Sequence, residues 1–204
     1  MPLETGLPFV RKVDKFVERG ELDQCETWLR RYLARRPQTV MHCVLDVDFQ
    51  RFLPDYSDWL LTATSKLKRL DPTIVICASM GEFEINYQDW HAHASVYENY
   101  DDPTDPYHWL CESDSEGIAD WFHFTGLDEL AASFEYSDEY IPGKEESPID
   151  SETFTATCYL MFTYFLKLNR DTHELAKKRR RRLRKAHLFC DYGDCLYYSP
   201  PTGE

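Results

Sequence analysis

Two aspartates, Asp46 and Asp48, have the type and spacing that could support enzymatic chemistry. Residues 41–49 alternate apolar and polar side chains, which predicts a β-strand with both aspartates on one side. Two carboxylates placed in this way can share a divalent cation for phosphoryl or glycosyl transfer. The same spacing is common among solvent-facing carboxylates of half-exposed strands, and we expect this simpler role. A metal-dependent hydrolase or phosphoryl transferase using both aspartates is the alternative.

The segment CVLDVDFQRFL, which contains both aspartates, resembles the first motif of haloacid dehalogenase-type phosphohydrolases. The segment TIVICAS, residues 73–79, is similar to the Ser-ended strand of their second motif. Gln50 stands where such enzymes usually have Thr or Val, and Ser79 leads into an apparent hairpin and not a helix. No apolar strand ending in an acidic fourth motif follows. The resemblance therefore supports only the alternative interpretation.

His91 and His93 form a second pair, again two residues apart in an alternating segment. On a strand their imidazoles would share a face, and Asp89, Glu98 or His108 could supply a third ligand to zinc. A zinc site needs three or four ligands at fixed distances, and the usual H-x-x-x-H and C-x-x-C spacings are missing. We therefore predict surface histidines, no bound metal and no cofactor.

A run of positive charge lies near the C-terminus, at the end of a predicted basic helix over 170–186. Its eight cations are Lys177, Lys178, Arg179, Arg180, Arg181, Arg182, Arg184 and Lys185. Such a run suggests phosphate contacts with nucleic acid. The net charge of −13 opposes approach of a polyanion, so we favour pairing of the helix with acidic residues of the same chain or of a second copy. A homodimer is one form of this interpretation.

The middle of the chain is strongly acidic, since residues 73–165 contain one Lys and 20 acidic residues. Such a segment creates a broad negative potential wherever it meets solvent. Large aromatic residues are mixed with the acids in predicted loops, a combination typical of protein interfaces. We predict a partner-binding surface formed by Trp109, Glu112, Asp114, Glu116, Asp120, Trp121, Tyr136, Asp138 and Glu139.

The N-terminal elements follow from apolar spacing. Helical spacing from Phe9 to Val17, with Gly20 just beyond, predicts a first helix, and residues 22–33 predict a second that ends before Pro37. The alternating strand 41–49 follows. Helical spacing then returns from Tyr56 to Leu70.

The remaining elements complete an α+β fold in a single domain, residues 1–204. Segments 73–78, 83–87 and 90–97 predict a central antiparallel meander, and residues 127–134 a helix. A long C-terminal helix begins near Ser151, is apolar nearly all round to Leu168, and should pack on the sheet. Residues 187–199 predict a hairpin about Gly193.

The cellular compartment can also be predicted. The N-terminus lacks the apolar segment of a secretory signal. Seven cysteines without regular spacing predict reduced thiols. The longest apolar stretch, residues 154–168, is shorter than the roughly 20 residues that span a bilayer. We therefore expect a cytoplasmic protein without a membrane segment.

Function follows from charge and from missing motifs. No P-loop, G-x-S-x-G, G-x-G-x-x-G, H-E-x-x-H or kinase signature occurs, so we expect no catalysis. An acidic, aromatic surface can compete for the positive cleft of a nucleic-acid-handling enzyme. We therefore predict a binding protein that caps a basic partner, such as a cytoplasmic immunity or antitoxin-type inhibitor of a nuclease-like toxin. A nucleic-acid-associated accessory protein acting through residues 177–185 is a further alternative.

Overall fold

The computed structural model describes residues 7–81, 90–98, 100, 115–138, 150–192 and 195–201. In this part of the chain the α-helices are α1 (Val10–Glu18), α2 (Leu22–Leu33), α3 (Leu53–Ser65), α4 (Asp128–Asp138) and α5 (Ser151–Lys178). Short 3₁₀ helices cover Val40–Asp46, Phe49–Phe52 and Arg182–Lys185. The strands are β1 (Val75–Met80), β2 (His91–Tyr97), β3 (Ser115–Gly117), β4 (Phe122–His123), β5 (His187–Tyr192) and β6 (Cys195–Ser199). The predicted α+β class is confirmed.

The strands form one mixed sheet in the order β3-β2-β1-β5-β6, and β4 also pairs with β2. An antiparallel meander is present, but it consists of β1, β2 and β3. The predicted strand order is wrong, because β1 pairs directly with β2, whereas the prediction places 83–87 between them. Residues 83–87 themselves lie outside the described residues. On its other side β1 runs parallel to β5, which forms the predicted antiparallel hairpin with β6.

The chain divides into two compact units. The first contains Met1–Phe49, Gly81–Trp90 and His123–Lys167, and the second contains Gln50–Met80, His91–Phe122 and Leu168–Glu204. Each unit is therefore assembled from segments that are distant in sequence. Their contents are described separately below, and the single-domain interpretation stays a prediction.

In the first unit, α1 and α2 pack with the N-terminal part of α5. The Cys25 thiol lies 3.5 Å from the Thr163 hydroxyl, and burial raises the pKa of this thiol to about 11. Asp150 caps α5 by accepting a 2.9 Å hydrogen bond from the Thr153 backbone N–H. This cap explains why the helix begins at Ser151, as the sequence predicts.

The central placement of α5 is confirmed, since its residues from Phe154 to Leu166 are all buried. The next residue, Lys167, is half-buried and pairs with Asp23 at 2.8 Å and with Glu26. Burial lowers the pKa of the Lys167 ammonium, but hydrogen bonds to the two carboxylates outweigh this effect and raise it. The helix is therefore apolar until a paired cation interrupts it.

The strand predicted over 41–49 is wrong, because Val40–Asp46 forms a 3₁₀ helix. A capping box starts this helix: His42 Nδ1 accepts the Thr39 backbone N–H at 3.1 Å, and the Thr39 side chain caps the His42 backbone. His42 Nε2 in turn donates to the Leu33 carbonyl at 2.9 Å. Residues spaced by three, such as Met41 and Val44, are buried, which is the period of a 3₁₀ helix and not of a strand.

In the second unit, α3 and the C-terminal part of α5 surround polar pairs in an otherwise apolar core. The Tyr56 hydroxyl donates to Asn169 Oδ1 at 2.7 Å, and Ser57 hydrogen-bonds Thr172 at 2.8 Å. His173 Nδ1 lies 2.6 Å from the hydroxyl of Ser199 on β6, so this part of α5 packs against the sheet.

The basic helix predicted over 170–186 is shorter than expected, because α5 ends at Lys178. Arg180 adopts a left-handed conformation with φ 51°. Its N–H donates to the Lys177 carbonyl at 3.2 Å, and the Arg181 N–H donates to the Ala176 carbonyl at 2.8 Å. These bonds form a Schellman motif, which turns the chain away from the helix axis.

The same motif ends α1, with Gly20 at the left-handed position (φ 68°). We expect Gly20→Ala to lower the free energy of unfolding by about 1 kcal/mol, because a Cβ disfavours this conformation. Arg180→Gly should raise it by about 0.5–1 kcal/mol for the same reason. Urea denaturation monitored by circular dichroism measures both changes.

Gly117→Ala is the matched control for these two substitutions. Gly117 has no positive φ, and an added Cβ there meets no atom within 4 Å. Its substitution should leave the urea midpoint nearly unchanged. Equal shifts of the same sign at Gly20 and Arg180 would contradict the conformational explanation.

Two further predictions from the sequence concern membrane-spanning segments and cysteines. No helix in the described residues is long and apolar enough to cross a membrane. Five described cysteines are thiols and not disulfides, namely Cys25, Cys43, Cys77, Cys158 and Cys190. The expectation of reduced thiols is therefore confirmed at these positions.

Candidate functional site

The acidic segment presents one large ring to solvent in the second unit. Trp121 is 55% exposed, although its indole stacks on the His91 imidazole with ring centroids 4.1 Å apart and planes at 6°. His91 is buried and is the first residue of β2, so a strand of the sheet supports the indole. The adjacent Asp120 carbonyl accepts a 2.8 Å hydrogen bond from Trp59 Nε1. We call Asp120, Trp121 and His91 the Trp121 surface.

The Trp121 surface contains the predicted interface residues Asp120 and Trp121 but not Glu116. Asp120 is exposed and adjoins Trp121. Glu116 is also exposed, but on β3 it lies opposite Val96. Directly opposed residues of antiparallel strands point to the same side, and Val96 points away from the side of His91 because side chains alternate. The Glu116 side chain therefore lies on the opposite face of the sheet from His91, and it is not part of the Trp121 surface.

A second acidic and aromatic surface lies on α4 in the first unit. The exposed residues of this helix are spaced as one face, which we call the α4 surface: Asp128, Glu129, Ala132, Glu135 and Tyr136. Tyr136 is 41% exposed. Asp128 and Glu129 stabilise the helix N-terminus through its dipole, whereas Glu135 and Asp138 lie in the last turn, where the dipole disfavours acids and no base balances them. Helix stability therefore does not account for the acids of the last turn.

Several predicted interface residues cannot be placed. Trp109, Glu112, Asp114 and Glu139 lie outside the described residues. Asp138 is placed only by its backbone, as the last residue of α4. The prediction is thus located at Glu116, Asp120, Trp121 and Tyr136, which are all exposed.

Three acidic residues of the α4 surface, Asp128, Glu129 and Glu135, are absent from the sequence-based prediction. Asp128 and Glu135 are seven residues apart, which is two helical turns, and this spacing could have identified that pair. The support of Trp121 by His91 had no such signal, because 29 residues separate the two in the chain.

The candidate metal ligands do not form a recognisable site in the described residues. Asp46 and Asp48 are exposed at the end of a 3₁₀ helix, so the strand that would align their carboxylates is missing. His91 and His93 share a strand face, but the prediction of surface histidines is wrong, because His91 is buried and His93 is half-buried. Burial and, to a lesser degree, repulsion from His91 lower the pKa of His93. Among the residues that the structure describes, no group of three His, Cys, Asp or Glu side chains could hold a metal ion.

The basic run contributes to the fold through Arg182 in the second unit. Its guanidinium donates to the carbonyl of Ser65, the last residue of α3, at 2.9 Å and to that of Leu67, just beyond the helix, at 2.6 Å. These carbonyls have no partner within the helix, so Arg182 caps α3 from a distant segment. Lys177 pairs with Glu174 at 2.9 Å. Lys177 and Arg182 are therefore engaged within the unit.

Other cations of the run remain at the surface. Arg179 and Arg181 line a groove of about 460 Å³ with Leu53, Pro54, Ser57 and Asp58 of α3. In the part of the chain that the structure describes, neither Arg179 nor Arg181 forms an ion pair with the acidic segment. Pairing of this run with acidic residues, and its contact with nucleic acid, both stay predictions.

No family model, curated protein or solved structure is significantly similar to this chain. Its function must therefore be inferred from its own residues. The Trp121 surface is the best-formed candidate site because a buried imidazole holds an exposed indole in place.

Proposed function

We propose that this is a non-catalytic binding protein whose acidic, aromatic surface caps the cationic site of a basic protein partner. The observation that carries the proposal is Trp121, an indole 55% exposed yet stacked at 4.1 Å on buried His91. Exposed tryptophans of this kind are the residues most enriched at binding hot spots. Because the ring is already oriented, little side-chain entropy is lost when a partner covers it.

Charge supports a basic partner over an acidic one. In the described parts of residues 73–165 there are acidic residues but neither Lys nor Arg. The α4 surface adds Asp128, Glu129 and Glu135 beside Tyr136. Such a field attracts a cationic partner before contact and speeds association. The proposed class is a cytoplasmic immunity or antitoxin-type inhibitor of a nuclease-like effector, whose nucleic-acid cleft is positive.

Trp121→Ala should raise the dissociation rate of the partner complex by about 10- to 1,000-fold, equivalent to about 1.4–4 kcal/mol. The protein should stay folded, because the substituted side chain lies mainly in solvent. Wild-type and variant baits, incubated with extract of the native host, identify the partner as the protein retained by wild type and lost by Trp121→Ala. Surface plasmon resonance on that partner then gives both rates.

Val40→Ala is the matched control, since Val40 is an apolar side chain 48% exposed outside both proposed surfaces. It should retain the partner like wild type. Glu135→Lys in the same assay separates attraction from anchoring, because long-range charge changes the association rate and its salt dependence more than the dissociation rate. Unchanged dissociation in Trp121→Ala would refute the proposal.

A further inference from the structure

One face of α1 lines a groove in the first unit with a volume of about 660 Å³. Its lining residues are Pro8, Arg11, Lys12, Lys15, Phe16 and Arg19. Four of these six are cations, and none is acidic. This is a concentrated positive site on a protein whose net charge is −13.

Charges of like sign follow one another at helical spacing along α1 and its C-cap, Arg19. Arg11, Lys15 and Arg19 follow one another at i,i+4 spacing, and Asp14 and Glu18 repeat the same spacing with the opposite sign. Like charges at this spacing repel and destabilise a helix. Within the described ranges, none of the groove cations forms an ion pair, although acids lie three residues away in sequence. The sorting of charge leaves the groove cations available to an external anion.

One of the groove cations, Lys12, lies over aromatic rings. Lys12 Nζ lies 4.7 Å from the centroid of the Trp28 ring and 5.9 Å from that of Phe16. Trp28 stacks on Tyr32 with centroids 5.3 Å apart, and Phe9 lies 4.9 Å from the same tyrosine ring. These contacts orient Lys12 before any ligand binds.

The chemistry of the groove favours phosphate groups. Guanidinium groups form paired hydrogen bonds to phosphate oxygens, and Arg11 and Arg19 place one fork at each end of the row. The volume lies within the range of about 300–1,000 Å³ that is usual for small-molecule sites. The half-exposed ring of Phe16 offers a flat apolar face beside the cations.

Overall charge limits the size of the anion. The net charge of −13 repels a long nucleic acid more strongly than a compact anion, because the long polyanion carries more negative charge. A compact ligand places all its charge on the cations of α1. We propose that the α1 groove binds a nucleoside polyphosphate, with Arg11, Lys15 and Arg19 on the phosphates and Phe16 beside the base.

Isothermal titration with ATP tests this site. Wild-type protein should bind ATP, and Arg11→Gln combined with Lys15→Gln and Arg19→Gln should weaken binding at least about tenfold, because charge-assisted hydrogen bonds are lost. The matched control combines Arg31→Gln, Lys66→Gln and Lys68→Gln, three exposed cations outside the groove. It changes the net charge equally and should alter affinity by less than about twofold. Circular dichroism checks folding, and Lys15→Gln alone replaces the triple variant if that variant unfolds.

Two more measurements define the ligand class. Phe16→Ala should weaken ATP several-fold and leave inorganic triphosphate unchanged. Tighter binding of a single-stranded oligonucleotide than of ATP would overturn the proposal in favour of nucleic acid, and absence of binding at about 1 mM ATP would overturn it outright. Trp121→Ala should bind ATP like wild type, so failure of this site and failure of the proposed partner surface are distinguishable.

Discussion

Phe162→Asp should unfold the protein. Phe162 is 3% exposed in the buried part of α5, and its ring meets that of Tyr159 at a centroid distance of 5.4 Å. An unpaired carboxylate there costs several kcal/mol, which is comparable with the total stability of about 5–15 kcal/mol of a typical domain. We expect loss of the cooperative urea transition and of near-ultraviolet circular dichroism.

Phe162→Leu is the control for this substitution. It keeps an apolar side chain of similar size and should lower the free energy of unfolding by only about 1–1.5 kcal/mol. The two variants together separate the effect of charge from the effect of lost volume. A soluble, cooperatively folded Phe162→Asp protein would show that this face of α5 is not in the core.

Stability should fall between about pH 6.5 and pH 4, and His173 should be the main cause. Burial, followed by repulsion from Lys177, lowers the pKa of the fully buried His173 imidazole from 6.5 to about 4. In this window the unfolded chain binds a proton that the folded protein does not bind. Stability is therefore fully present above pH 6.5 and falls with pH, by roughly 3 kcal/mol in all at about 1.4 kcal/mol per pH unit.

Urea denaturation at a series of pH values measures this loss in wild type and in His173→Gln. Gln does not titrate, so the variant should have a much shallower slope between pH 6.5 and 4 even if its stability at pH 7 is lower. Some slope should remain, because burial also lowers the pKa values of His93 and His187. His123→Gln, at an exposed position, should keep the wild-type slope. Equal slopes in wild type and His173→Gln would contradict this assignment.

Local signals in the sequence were sufficient for the starts of most helices but not for all of their ends, since α3 ends at Ser65 and not at Leu70, and α5 ends at Lys178. Gly20, in the left-handed conformation, ends α1. The helix α5 begins at Ser151, directly after its capping residue Asp150. Continuous apolar character from Phe154 onward predicted a buried helix, and these residues are buried. In each case the determining residues lie within a few positions of one another. The same use of local spacing predicted a strand at 41–49 that does not exist, because a short apolar segment fits both the period of two of a strand and the period of three of a 3₁₀ helix.

The candidate sites depended on contacts between distant segments. The residue in the left-handed conformation after α5 is an arginine and not a glycine. The basic run therefore contains no residue type that predicts the end of the helix there. The roles of Arg182, which caps α3, and of His91, which supports Trp121, join segments far apart in the chain.

The sequence by itself determined the acidic charge, the α+β class and the starts of most helices, because these follow from composition and from neighbouring residues. Only the tertiary structure decided which side chains are exposed, supported or engaged, as at Trp121 and Arg182. The physical reason is that burial and long-range hydrogen bonds depend on packing between distant segments, and apolar periodicity carries no information about which segments pack together.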